Sequence, residues 1–81
     1  MTGELNIDKT LDVKGEVCPF PWVKAKKSLN KLQVGQVLCI VGDHGPALKN
    51  IPRNFTDEGH TVLKAESTGE LDWEIVVRKE K

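Results

Sequence analysis

Cys18-Pro19-Phe20-Pro21 is the stretch of this sequence whose residue types can do chemistry. A cysteine attacks only as its thiolate, and an unperturbed thiol of pKa about 8.5 is just a few per cent ionised at neutral pH. Position changes that fraction. The apolar periodicity that begins after Cys18 predicts a helix whose N-cap is Cys18. Pro19 then falls at the first helical position, where its fixed φ suits the helix and its missing N–H costs nothing. The sulfur would face the positive end of the helix dipole. Pro21 also lacks an N–H, so the free donors of the first turn are expected on Phe20 and Trp22, ready to bond a thiolate or persulfide anion. The competing reading is that Cys18 is a small apolar residue at a strand-to-helix bend.

The elements that must hold this motif follow from the pattern around it. Thr10-Leu11-Asp12-Val13 alternates polar and apolar residues and reads as a first strand, closed by the turn Lys14-Gly15-Glu16. Trp22, Ala25, Leu29 and Leu32 recur at helical spacing, with Lys24, Lys27 and Lys31 on a separate stripe. Val37 to Val41 is apolar at every position, as a central strand with neighbours on both sides requires. Ala47, Leu48, Ile51 and Phe55 mark a second helix, which Pro52 is expected to split or kink, giving a first turn, a break and then helix to Gly59. His60 to Glu66 reads as a strand and Ser67-Thr68-Gly69-Glu70 as a hairpin turn. Leu71, Trp73, Ile75 and Val77 alternate as the last strand.

The order βαβαββ predicts an α+β fold, a two-layer α/β sandwich in which a four-stranded mixed sheet carries both helices on one face. The strand order is not readable from the residues. With 81 residues the chain fits one domain, its core spanning about residues 8–79.

Twelve basic residues balance twelve acidic ones, so no global field draws the protein to nucleic acid or to a membrane. No apolar run approaches the roughly 20 residues of a membrane helix, and no signal pattern opens the chain, so a cytoplasmic location is expected. The local exception is the basic stripe of Lys24, Lys27 and Lys31. It suits an acidic partner or, less favoured, RNA phosphate, and equally suits a plain solvated helix face.

The chain has two cysteines. Cys39 falls inside the all-apolar strand and reads as core, so no local resolving thiol is expected for Cys18. Cys18, Cys39, His44 and His60 form no paired ligand motif, so neither metal nor cofactor is expected. His44 and His60 are lone histidines and read as neither ligand nor base. Asp43, directly after the central strand, lies at the sheet end where a crossover connection would also bring Cys18. A turn or capping role, or a contact with the site or its partner, is expected of it.

From Leu11 to Pro21 the sequence Leu-Asp-Val-Lys-Gly-Glu-Val-Cys-Pro-Phe-Pro resembles the opening of the TusA/SirA-like sulfur-carrier family, whose signature is Cys-Pro-x-Pro. The resemblance runs on through Trp22 to Leu29, Gly35, Asp43, the Ile51-Pro52 pair and Gly59-His60, nearly the whole chain. It implies a cysteine, here Cys18, that accepts sulfane sulfur as a persulfide from a cysteine desulfurase or rhodanese-like donor. That sulfur then passes to an acceptor sulfurtransferase, in relays such as transfer-RNA thiolation, molybdenum-cofactor synthesis or sulfur metabolism. The chain departs from the family pattern at His44-Gly45, where Asp-Pro is common, and at Asn50, where Asp is common. Two other readings differ in class. A binding or regulatory module would use Cys18 only as a helix cap. A thioredoxin-type redox enzyme would need a second cysteine where Pro21 stands.

Overall fold

A computed structural model describes residues 7–17 and 20–81 of the chain. The elements follow in the order β1 (Lys9–Asp12), α1 (Phe20–Asn30), β2 (Val37–Gly42), α2 (Gly45–Asp57), β3 (Thr61–Ser67) and β4 (Trp73–Arg78). The four strands form one mixed sheet in the order β1-β2-β4-β3. β1 and β2 run parallel, while β4 is antiparallel to both β2 and β3.

The apolar run of β2 has the place that its composition demands. It lies between β1 and β4, and Leu38 and Ile40 on one side are fully buried. Period-two alternation sends Leu38 and Ile40, with Ile75 and Val77 of β4, toward the helices. There they join Ala25 and Leu29 of α1 and Ala47, Ile51 and Phe55 of α2 in one cluster. Val37, Cys39 and Val76 form a separate cluster on the opposite face. Both helices therefore cover a single face of the sheet, and the two-layer α+β sandwich is as the residue order predicts. Each large side chain withdrawn from water here contributes roughly 1.5–3 kcal/mol.

α1 buries the stripe that its periodicity marks, through Ala25 and Leu29, with Trp22 and Leu32 packed at its edges. Its last turn tightens through Lys31 N–H to Ser28 O at 3.2 Å and Leu32 N–H to Leu29 O at 3.0 Å. The Lys79 ammonium then donates to the carbonyls of Asn30 at 3.1 Å and Leu32 at 2.6 Å, satisfying acceptors that a helix end leaves open.

α2 corrects one expectation. Pro52 does not break it: the helix is continuous over Gly45–Asp57 with Pro52 inside. Proline removes only its own bond to the carbonyl four residues back. Ile51 and Phe55, both fully buried on the stripe either side of it, pin the helix to the sheet. The helix stops before Gly59, which adopts φ +93°. His60 N–H donates to Phe55 O and Gly59 N–H to Thr56 O, both at 3.0 Å, so the C-terminus closes in a Schellman motif.

Trp73 opens β4, and Leu71 lies in the Thr68–Asp72 connection with 74% of its surface exposed, so it is not the strand residue that the alternation suggests. The Thr68 N–H to Asp72 O bond of 2.9 Å closes this connection as a longer loop, which displaces the strand start by two residues.

Candidate functional site

The parallel pairing of β1 and β2 puts their C-terminal ends at the same edge of the molecule. The connection from β1 to α1, which contains Cys18, and the Asp43-His44 connection from β2 to α2 therefore leave the sheet side by side. Clefts beyond the carboxyl ends of parallel strands are where open α/β sheets commonly place ligands.

The described part of the Cys18 connection is tied down at every step. Val13 is buried and its N–H donates to Val41 O at 2.8 Å, extending the β1–β2 ladder by one bond. Lys14 N–H donates to Asp12 Oδ1 at 2.8 Å, and Glu16 N–H returns to Val13 O at 3.1 Å. The turn so formed carries Gly15 at φ +84°, a conformation that side-chain-bearing residues rarely adopt. Gly15 N–H donates to Asp43 Oδ1 at 3.0 Å, across 28 positions of sequence. The Lys14 ammonium lies 3.7 Å from the Asp72 carboxylate, and Lys24 is paired with Glu16.

The floor under this loop is equally fixed. Gly42, last in β2, pairs with Trp73, first in β4. A β-carbon on Gly42 would lie 2.5 Å from the Trp73 ring and 2.9 Å from Val13 Cγ2, so only glycine fits between them. The buried indole of Trp73 donates to His44 O at 2.8 Å and so pins the second loop.

Cys18 and Pro19 lie outside the described residues, and the expectation that they form the N-cap and first helical position of α1 falls there. On either side, Phe20 N–H donates to Val17 O at 2.9 Å. That bond corrects one expectation: the Phe20 amide is not a free donor, because a carbonyl within the loop already takes it. The Phe20 ring is 54% exposed and Val17 56%, whereas Pro21 is buried. Trp22 packs edge-on against Phe55 at 4.8 Å between ring centroids, with the Lys26 ammonium 5.9 Å above its ring.

The other expected site residues separate into two sets. Asp43 and Lys24 are engaged within the chain, by Gly15 and Glu16, and both bonds hold the Cys18 connection. Lys27 is exposed further along α1 and Lys31 just past its end, and no carboxylate pairs with either among the described residues. His60 Nδ1 accepts the Glu80 N–H at 3.1 Å and its ring meets Phe55 edge-on, so it serves the fold. The ties made by Glu16, Gly42 and Trp73 had no signal in the sequence beyond the turn glycine.

Cys39 is 3% exposed and its thiol donates to Glu74 Oε2 at 3.1 Å. Burial first, and then the Glu74 hydrogen bond and charge, push its pKa up to about 11. A thiol so held is protonated at neutral pH and is no nucleophile.

The family model described as Sulfurtransferase TusA matches residues 9–79. The chain belongs to the TusA family. Among its TusA-like relatives is a protein of Methanocaldococcus jannaschii, 48% identical over 71 residues, covering 88% of this chain and 93% of that protein. Another, from Archaeoglobus fulgidus, is 38% identical over 76 residues, covering 94% of this chain and 86% of that protein. Both are named as candidate sulfur carrier proteins. The crystal structure of a SirA-like protein from Desulfitobacterium hafniense has the same fold, with a TM-score of 0.78 at 24% identity over 90% of this chain and 99% of that one. The two chains thus share the two-layer sandwich.

Proposed function

We propose that the protein is a sulfur carrier that takes sulfane sulfur onto Cys18 as a persulfide and passes it to an acceptor sulfurtransferase in the cytoplasm. The observation that supports this reading is the protected state of Cys39 in a chain of the TusA family. Cys39 is buried, bonded to Glu74 and pushed up to about 11, which makes it a poor nucleophile and supports assigning that role to Cys18.

In the loading step the Cys18 thiolate attacks the outer sulfur of a donor persulfide, R–S–SH. A new S–S bond forms to Cys18 as the donor S–S bond breaks, giving Cys18–S–SH and the donor thiolate R–S⁻. No net oxidant is needed. Attack by an acceptor thiolate on the outer sulfur of Cys18–S–SH repeats the exchange and regenerates the Cys18 thiolate. α1 opens at Phe20 with Pro21 in its first turn, and the positive end of its dipole favours the anionic forms of a thiol that precedes it in sequence. Pro19, Phe20, Pro21 and Trp22 support the thiolate in this reading, with Phe20 contributing its exposed ring rather than its amide.

Donor and acceptor would dock on the outward face of α1. Phe20 and Val23 give it an apolar start shortly after Cys18 in sequence. Lys27 follows along the helix and Lys31 directly after its end, so a partner with an apolar pocket bordered by acidic residues fits.

Intact-mass spectrometry after incubation with a cysteine desulfurase, its pyridoxal-phosphate cofactor and free cysteine tests the reading. A gain of one sulfur on the wild type, absent in Cys18→Ser and reversed by dithiothreitol, is expected. Lys27→Glu with Lys31→Glu should slow loading at low salt, with the deficit shrinking as salt rises. If neither a desulfurase nor a rhodanese-type donor adds sulfur, the carrier reading fails and a binding module with Cys18 as a cap takes its place.

A further inference from the structure

We propose that Asp43 is a positioning residue for Cys18, acting through the Gly15 amide and by the placement of its oxygen rather than by its charge. The inference rests on the carrier reading above. Its basis is the junction of the two loops at the end of the parallel strand pair. Asp43 Oδ1 accepts the Gly15 N–H at 3.0 Å, and this is the hydrogen bond that joins the β2–α2 loop directly to the turn three residues before Cys18.

Each side of that bond is held independently. Gly15 sits at φ +84° in a turn closed by Glu16 N–H to Val13 O, so its amide direction is fixed by the backbone. Asp43 follows Gly42, which is wedged against Trp73 and Val13, and precedes His44, whose carbonyl is bonded to the Trp73 indole. The carboxylate is therefore presented from a rigid base to a rigid turn. The Asp43 carboxylate is engaged by a backbone amide, and a carboxylate gives no general help to a thiolate, since negative charge disfavours a second anion. A positional role, through the Gly15 turn, is what the described geometry offers. Displacement of a reacting group by about 1 Å can cost on the order of a hundredfold in rate.

Substitutions at Asp43 separate position from charge. Asp43→Asn keeps an oxygen at the same place and removes the charge. Asp43→Glu keeps the charge and moves the oxygen by one carbon–carbon bond. Asp43→Ala removes both. The first readout is the rate of alkylation of Cys18 by iodoacetamide across pH, which needs no sulfur donor. The second is the initial rate of sulfur loading by mass, with thermal unfolding to establish that each variant is folded. Asn is expected within about threefold of wild type in both rates, and Glu and Ala slower by about tenfold or more. Glu at the wild-type rate, or Asn as slow as Glu, overturns the proposal, and these two variants decide it even where Ala does not fold. Should the wild type alkylate at Cys18 but take up no sulfur, the carrier reading fails while the alkylation rates still decide the role of Asp43.

Discussion

The Cys39 thiol and the Glu74 carboxylate meet at 3.1 Å on the face of the sheet that the helices leave free. Lys64 donates to the other oxygen of the same carboxylate at 3.3 Å and pairs with Glu66 as well. Glu74 is held below its usual range, first by the thiol and then by Lys64, while Lys64 is raised by the two carboxylates. The thiol is thus the proton donor in a closed network.

Native protein should therefore show one reactive cysteine. Iodoacetamide at pH 8 is expected to label Cys18 and leave Cys39 unmodified, and both should react in denaturant. Peptide mapping reads this directly. Labelling of Cys39 at a comparable rate in native protein would contradict the protected thiol.

The same shift makes a statement about alkaline stability. Cys39 has a folded pKa near 11, well above that of an ordinary thiol. The folded state holds the proton more tightly, so this contribution is fully present below pH 9 and is lost as pH rises toward 11. Cys39→Ala should be less stable at pH 8 but should lose less stability between pH 9 and 11 than the wild type. Urea unfolding across that window measures the difference, and equal slopes for the two proteins would exclude the linkage.

Gly42 and Trp73 should be coupled. Gly42→Ala puts a carbon 2.5 Å from Trp73 Cζ2 and 2.6 Å from Cη2, and overpacking of this kind costs about 1–3 kcal/mol. Trp73→Phe removes the donor to His44 O and costs about 1–3 kcal/mol. Phenylalanine lacks the two ring carbons that meet the new methyl. The double variant is therefore expected to lose less than the sum of the singles in urea unfolding, and strict additivity would count against the close approach.

Pro52 offers a gain. It interrupts the bonding of a helix that packing holds together regardless, so Pro52→Ala restores one helical hydrogen bond without changing the buried stripe. An increase in unfolding free energy of about 1–3 kcal/mol is expected from denaturant titration. No gain would mean that the carbonyl freed by Pro52 is already well satisfied.

Much of this architecture is legible in the residues. Trp22, Ala25 and Leu29 mark the buried stripe of α1, the unbroken apolar run of β2 marks a central strand, and Asp43 falls where the crossover needs it. What is not legible depends on contacts between distant segments. Pro52 reads as a break because local rules see the lost hydrogen bond and not the anchoring of Ile51 and Phe55. Lys24 reads as free charge because Glu16, its partner, precedes the helix and meets it only once the loop folds back. The Phe20 amide reads as a free donor because its acceptor belongs to the irregular loop.

The place of β4 in the sheet bears on how the chain acquires its structure. β2 has β1 on one side from the start, but its other neighbour is the last strand, Trp73–Arg78, and the end of α1 is closed by Lys79. A chain emerging from the ribosome through residue 60 holds β1, β2 and both helices, yet leaves the most apolar strand with an open edge. The segment that shields it arrives last, so cooperative closure waits for residues 73–79. Truncations before that point remain sticky intermediates rather than smaller versions of the protein.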